Sequence, residues 1–90
     1  MMVINSKAKQ ALKARAHKLK PVVLIGNQGL TDAVTLEIDR ALNDHELIKI
    51  RMAGNDRLAR RQAYEQIAAQ LNAALIQSIG SVGVFYRKNK

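Results

Sequence analysis

The sequence predicts an α/β (α+β) fold with the element order helix, strand, helix, strand, helix, strand, strand, and three observations carry that prediction. The stretch Lys20-Pro21-Val22-Val23-Leu24-Ile25-Gly26-Asn27-Gln28-Gly29-Leu30-Thr31 sets an apolar run between a proline and a glycine, directly ahead of a helical pattern. Leu47 to Met52 alternates with period two between two segments of helical period. Gly80-Ser81 joins two short apolar runs as a two-residue hairpin loop, with glycine first as a type II′ turn requires. Strand–helix–strand units need right-handed crossovers, so the first two strands should be parallel neighbours and the last two an antiparallel hairpin.

The elements follow in chain order. From Ser6 to Leu19, Ala8, Leu12, Ala16 and Leu19 recur at helical spacing with Ala11 beside them. Ser6 is the expected N-cap, and Pro21 stops the helix just past its end. The outer face carries Lys9, Lys13, His17 and Lys20. Val22 to Ile25 reads as a strand buried on both faces. Gly26 to Gly29 must turn the chain straight into the second helix, and a glycine at each end of that loop permits positive φ. Thr31 caps this helix, whose stripe is Val34, Ile38, Ala41 and Leu42, ending near Asp44 or His45. In the second strand Ile48, Ile50 and Met52 face the core, while Lys49 and Arg51 point the other way with Leu47. Asn55 or Asp56 caps the third helix, with a stripe of Ala63 or Tyr64, Ile67, Ala68 and Leu71. Ala74 to Ile79 and Val82 to Tyr86 are the hairpin strands, and Arg87-Lys88-Asn89-Lys90 forms a basic, frayed tail.

Ninety residues, 48% of them hydrophobic, make one folded domain, 1–90. Cysteine is absent, which rules out disulfides and thiolate zinc sites. Met1-Met2-Val3-Ile4 is too short for a signal-peptide core, and no apolar stretch approaches membrane length, so the expected home is the cytoplasm. The first helix has no aromatic residue and a stripe half made of alanine, which argues against a membrane surface as its partner.

The charge is +8 at a pI near 10.3, a balance that points to a polyanionic partner. It is also uneven. Residues 1–31 hold six basic side chains (Lys7, Lys9, Lys13, Arg15, Lys18, Lys20) and no acid, whereas five of the seven acids fall between Asp32 and Glu46. A local excess of this kind marks a binding face. The Gly26–Gly29 loop at a helix N-terminus has the form of a phosphate cradle, with a plain strand-to-helix turn as the bland alternative. Asp32 in the first helical turn counts against a phosphate there, since it complements the dipole itself. Arg57, Arg60 and Arg61 crowd the start of the third helix, where cations oppose the dipole. Either bound phosphate or local pairing, Arg61 with Glu65 and Arg57 beside Asp56, accounts for them.

Catalytic and cofactor motifs are missing. The Gly26–Gly29 loop has no following Gly-Lys-Ser/Thr and no third glycine, so it is neither a P-loop nor a dinucleotide fingerprint. His45-Glu46-Leu47-Ile48-Lys49 has lysine where a zinc-protease motif needs its second histidine. No nucleophile–base pair stands out, so no enzyme, no cofactor and no metal are expected.

Three segments together resemble a known family: His17 through Thr31, His45-Glu46-Leu47-Ile48-Lys49-Ile50, and the closing Ile79-Gly80 with Val84-Phe85-Tyr86-Arg87. They are similar to the CRM domain, the chloroplast RNA splicing and ribosome maturation family, in its bacterial stand-alone members. The resemblance runs from about Ser6 to Arg87. It implies an RNA-binding domain with a four-stranded mixed sheet packed with helices, similar to the C-terminal domain of a bacterial translation initiation factor. The last strand would then lie between the second and third. Bacterial members of the family are associated with precursors of the large ribosomal subunit, and plant relatives with group II intron splicing. Gly26, Asn27, Gln28 and Gly29 correspond to the family's GxxG loop, likened to the backbone clamp of KH domains.

The expected function is RNA binding in large-subunit assembly, with ribosomal RNA and the pre-ribosomal particle as partners and a monomeric chain. The candidate RNA-binding residues are Lys9, Lys13, Lys18, Lys20, Gly26, Asn27, Gln28, Gly29, Lys49, Arg51, Arg57, Arg60 and Arg61. With one Phe, two Tyr and no Trp, an aromatic stacking platform is not evident, so phosphates and RNA shape should dominate recognition. The alternatives are a protein-interaction module docking on a ribosomal protein, then a DNA-binding domain lacking any visible recognition helix, then a nucleotide-dependent enzyme.

Overall fold

The chain builds α1 (Ser6–Ala16), β1 (Pro21–Ile25), α2 (Asp32–His45), β2 (Leu47–Met52), α3 (Arg57–Gln70), β3 (Ala74–Ile79) and β4 (Val82–Tyr86). The structure is a computed structural model that describes residues 4–54 and 56–89. The sheet order is β1-β2-β4-β3. β1 and β2 are parallel, and β4 is antiparallel to both of its neighbours. The expected element order, parallel first pair, closing hairpin and inserted last strand are all present. Because β1, β2 and β3 run in one direction, the Gly26–Gly29 turn, the start of α3 and the Gly80-Ser81 hairpin gather at the same end of the sheet.

Period-two alternation along β2 explains the layers. Ile48 and Ile50 enter the larger core with Val23, Ile25, Ile38, Leu42, Tyr64, Ile67, Ala68 and Phe85, under α2 and α3. Leu47 faces the other way, into a smaller core with Leu12, Ala16, Ala74, Ile76 and Val84, under α1. The sheet therefore carries helices on both faces, and α1 packs mainly on β2 and β3.

That placement corrects one expectation. β1 is an edge strand buried on one face only, through Val23 and Ile25, while Val22 and Leu24 are exposed. Its pairing shifts register between Pro21 and Val23, as an edge strand opened by a residue without an N–H tolerates. The buried stripe of α1 is likewise narrower than its spacing predicts, with only Leu12 and Ala16 buried and Ala8 and Ala11 exposed. The N-cap is Asn5 rather than Ser6, its Oδ1 accepting the Ala8 N–H at 2.8 Å. The helix stops at Ala16, and Lys18 and Leu19 close it with i→i−3 bonds to Arg15 and Ala16. Lys18 and Lys20 thus lie in the connector. Thr31 and Asp56 cap α2 and α3 as expected; Asn55, the other candidate cap, lies outside the described residues. In α3 it is Tyr64 rather than Ala63 that is fully buried.

The tail corrects another expectation, for it is pinned as far as Asn89. Arg87 Nη1 donates to Asp39 Oδ1 at 2.8 Å and to the Leu71 carbonyl at 3.0 Å. Its Nη2 donates to the Asp39 carbonyl at 3.0 Å and to Asn43 Oδ1 at 2.9 Å. Asn89 adds bonds to Glu46 Oε2 and the Asn43 carbonyl, both at 2.8 Å. Lys90 lies outside the described residues.

Tyr64 and Gly83 fix how α3 sits on the sheet. A Cβ at Gly83 would stand 2.8 Å from Tyr64 Cε2 and 3.0 Å from Phe85 Cε1. The two rings meet edge-to-face at 5.5 Å. Gly83→Ala should therefore lower stability by about 1–3 kcal/mol, because neither ring is free to move aside. Arg87→Ala should cost about 2 kcal/mol, since charged hydrogen bonds between the tail, α2 and the end of α3 are lost together. Urea titration checks both, and a wild-type midpoint for either variant would contradict the packing described.

Candidate nucleic-acid interface

All seven acidic residues (Asp32, Glu37, Asp39, Asp44, Glu46, Asp56, Glu65) belong to α2, α3 or their caps. The other side of the molecule has none. There α1, its connector and the outward positions of β2 hold Lys7, Lys9, Lys13, Arg15, Lys18, Lys20, Lys49 and Arg51. Lys49 and Arg51 join this side because their β2 neighbours Ile48 and Ile50 point into the larger core. Lys9, Lys13 and Lys49 are half-buried, while Lys18, Lys20 and Arg51 are exposed.

The fold draws the cations into separate groups. Lys13, His17 and Lys49 line one groove of about 210 Å³ with Ala16, Gln77, Ile79, Val82 and Val84. Arg15, Lys20 and His45 line another of about 360 Å³ with Leu19, Val22, Leu47 and Ile48. Arg57, Arg60 and Arg61 line a third, about 410 Å³, with Tyr64, Leu75, Ser78 and Gly80. The third groove lies on the opposite face of the sheet from the first, and both reach the Gly80-Ser81 end, whereas the second lies at the other end, by the starts of β1 and β2, and reaches His45 of α2. Sequence reasoning set aside His17 and assigned Arg15 no site. The signal for both is their helical spacing from Lys13 and Leu19.

Local pairing accounts for one of the three α3 arginines among the described residues. Arg61 Nε sits 3.3 Å from Glu65 Oε1 in an exposed i,i+4 pair. Arg60 reaches the Gly54 carbonyl at 3.5 Å. Arg57 has no ion pair or hydrogen bond among the described residues. Beside this groove, burial raises the Tyr64 hydroxyl above its ordinary pKa, with Arg60 acting in the opposite direction. It stays protonated and donates to the Ser81 carbonyl at 2.9 Å.

The Gly26–Gly29 turn is closed by Gly29 N–H to the Gly26 carbonyl at 3.0 Å. Positive φ is used at Gly29 (76°) and not at Gly26. Asn27 and Gln28 are exposed at its tip, and their N–H groups meet no acceptor among the described residues. Asp32 stands in the first turn of α2 beside it.

A family profile, the CRS1 / YhbY (CRM) domain, matches residues 4–87. The chain belongs to this family. Among CRM relatives, a probable RNA-binding protein of Pseudomonas aeruginosa is 43% identical over 98% of this chain and 85% of its own length. An RNA-binding protein of Haemophilus influenzae is 44% identical over 100% of this chain and 91% of its own. The solution structure of a hypothetical protein from Staphylococcus aureus matches the fold with a TM-score of 0.86 at 31% identity, covering 98% of this chain and 92% of that one. Among the described residues of this CRM chain, no helix is long and apolar enough to cross a membrane, and no group of three potential metal ligands occurs.

The pairing pattern in α3 separates two arginines by sign. Arg57→Gln removes an unpaired cation from the positive end of the dipole and should stabilise by about 0.3–1 kcal/mol at low salt. Arg61→Gln breaks the pair with Glu65 and should destabilise by about 0.3–0.5 kcal/mol. Thermal melting at low and high salt reads both, and both effects should shrink as salt rises. Equal shifts of one sign would contradict the pairing described.

Proposed function

We propose that the protein is a non-enzymatic RNA-binding domain, with its core at residues 6–87, that binds ribosomal RNA in precursors of the large ribosomal subunit and assists assembly. The observation that carries the reading is the segregation of charge: a face with eight cations and no acid, on a sheet whose other helical layer holds every acid. A polyanion approaching the α1 face meets attraction without local repulsion, and release of its counterions supplies sequence-independent affinity. The names of the relatives support RNA as that polyanion. The family resemblance supports the ribosomal setting; a cytoplasmic home and a monomeric chain belong to the same reading.

In this reading Lys9, Lys13, Lys18, Lys20, Lys49 and Arg51 hold phosphates on the α1 face, and Arg57, Arg60 and Arg61 extend the contact around the end of the sheet. The backbone of Gly26, Asn27, Gln28 and Gly29 takes a phosphate between the two surfaces. Asn27 and Gln28 are exposed and belong to neither core, so their roles are separable from folding.

If about four to six phosphates are neutralised, log K on single-stranded RNA should fall against log salt with a slope of roughly −3 to −4. A slope indistinguishable from zero would end the phosphate-gripping mechanism. Changing Lys9, Lys13 and Lys20 together to Gln should flatten that slope and weaken binding without moving the melting temperature. If it does not, the same change at Arg57, Arg60 and Arg61 identifies the other surface as dominant. Asn27→Asp with Gln28→Asp should shift stability by no more than about 0.5 kcal/mol and affinity by tenfold or more, about 1.4 kcal/mol. Unchanged binding with unchanged melting would reduce the loop to a turn. Crosslinking in cells followed by RNA sequencing tests the ribosomal assignment, which fails if large-subunit RNA is not enriched.

A further inference from the structure

The α1 face of the sheet is only half covered. Across its open half runs one row of paired residues, one from each strand. Leu24 of β1 pairs with Arg51 of β2, Arg51 with Val82 of β4, and Val82 with Ile79 of β3. Leu24 is 64% exposed and Ile79 61%; Arg51 is exposed and Val82 half-buried. With strands about 4.8 Å apart, the row is on the order of 14 Å long. In the next row the helix begins to cover the sheet, since Lys49 and Gln77 are half-buried and Val84 is buried. Large aliphatic side chains left in water along a sheet face mark a contact surface.

The surroundings of the row decide what it contacts. Arg51 stands inside the row, and Lys13, His17 and Lys49 line the groove that Ile79 and Val82 share. Every acid of the chain is on the opposite layer. A ligand for this strip must therefore offer flat apolar surface together with closely spaced negative charge.

We propose that the row Leu24–Arg51–Val82–Ile79 seats unpaired bases of single-stranded RNA, with the aliphatic side chains against base faces and the flanking cations on the backbone. The proposal rests on the RNA-binding reading above and adds to it a preference for unpaired RNA. A duplex keeps its bases stacked inward and presents sugar hydroxyls and phosphates. Leu24 and Ile79 set against those groups would desolvate them without a hydrogen bond in return. Splayed bases offer a π-face to any apolar partner irrespective of sequence. The guanidinium of Arg51 can stack on a base or fork a phosphate. A platform of this kind needs no aromatic residue.

The test titrates single-stranded RNA and a fully paired RNA of equal length, at one salt concentration, against wild-type protein, Leu24→Ser/Ile79→Ser and Leu36→Ser. Leu36 is a control of similar exposure, 51%, on acid-bearing α2. The wild type should prefer the single strand by tenfold or more. The double variant should lose about tenfold on the single strand, keep its duplex affinity and salt slope, and melt like the wild type, while Leu36→Ser changes nothing. Leu24→Phe should tighten the single-stranded complex several-fold and leave the duplex alone, and it carries the test if the serine variant melts early. Equal wild-type affinity for the two RNAs overturns the proposal, as does no change on the single strand in either variant. Full RNA binding by the double variant would give the row to a protein contact instead. A wild type that binds neither RNA overturns the RNA-binding reading itself, so the two failures are distinct.

Discussion

The contact between the Tyr64 ring and Gly83 sets the geometry on which the rest of the molecule depends. A side chain at residue 83 would meet the ring at 2.8 Å, so only glycine lets α3 lie this close to β4. With the ring seated, its hydroxyl reaches the Ser81 carbonyl, which also accepts the Met52 N–H at 2.9 Å. One backbone oxygen in the hairpin thus ties the end of β2 to α3. The same ring forms a wall of the groove where Arg57, Arg60 and Arg61 converge. A packing constraint in the core therefore decides where three surface cations stand, and charged side chains need contribute nothing to the core itself.

The core and the surface charge accordingly draw on different residues. No polar or charged residue is buried among the described residues, and both cores are wholly apolar apart from tyrosine hydroxyls. Arg87 is the exception among the basic residues, since its four hydrogen bonds fasten the tail to α2 and α3. The other cations are spread over the surface, where their mutual repulsion opposes the compact state only weakly in salt. Counter-charge brought by a ligand would relieve that repulsion, so binding should stabilise the fold as well as occupy the face.

Most of the architecture was legible in the sequence because its signals are local. The alternation in Leu47–Met52, the Thr31 and Asp56 caps and the Gly80-Ser81 turn each depend on neighbours within a few residues. What was illegible depended on which strand lies at an edge. The run Val22–Ile25 has the composition of a strand covered on both sides, yet α1 crosses β2 and β3 and leaves Val22 and Leu24 in water. Composition cannot distinguish an apolar side chain under a helix from one left open. Arg87 failed for a related reason: its partners Asp39, Asn43 and Leu71 are distant in sequence, and a basic tail looks the same whether pinned or free. The candidate cations were legible as residues but not as groups, because their division between two faces follows from the sheet's layering.

The Gly80-Ser81 end of the sheet, reached by basic grooves on both faces, is also where α2 and α3 begin, and ligands of open α/β sheets gather at the carboxyl ends of the strands. Helix dipoles alone would make this end attractive to anions. Here each helix start already has an acid, Asp32 in the first turn of α2 and Asp56 as the cap of α3. Those carboxylates satisfy or complement the helix ends and offset the dipoles. Attraction for a polyanion must then come from side chains, which is where the sequence has put it: arginines beyond the α3 cap, and lysines across the sheet on a face with no acid. Asp32 follows the turn at Asn27 and Gln28 in the first turn of α2, so a carboxylate close in sequence to its free N–H groups opposes a phosphate while the wider field favours one. The turn's part in binding is therefore set by the balance of those two terms, and distance decides it, since salt screens the wider field far more than the neighbouring Asp32.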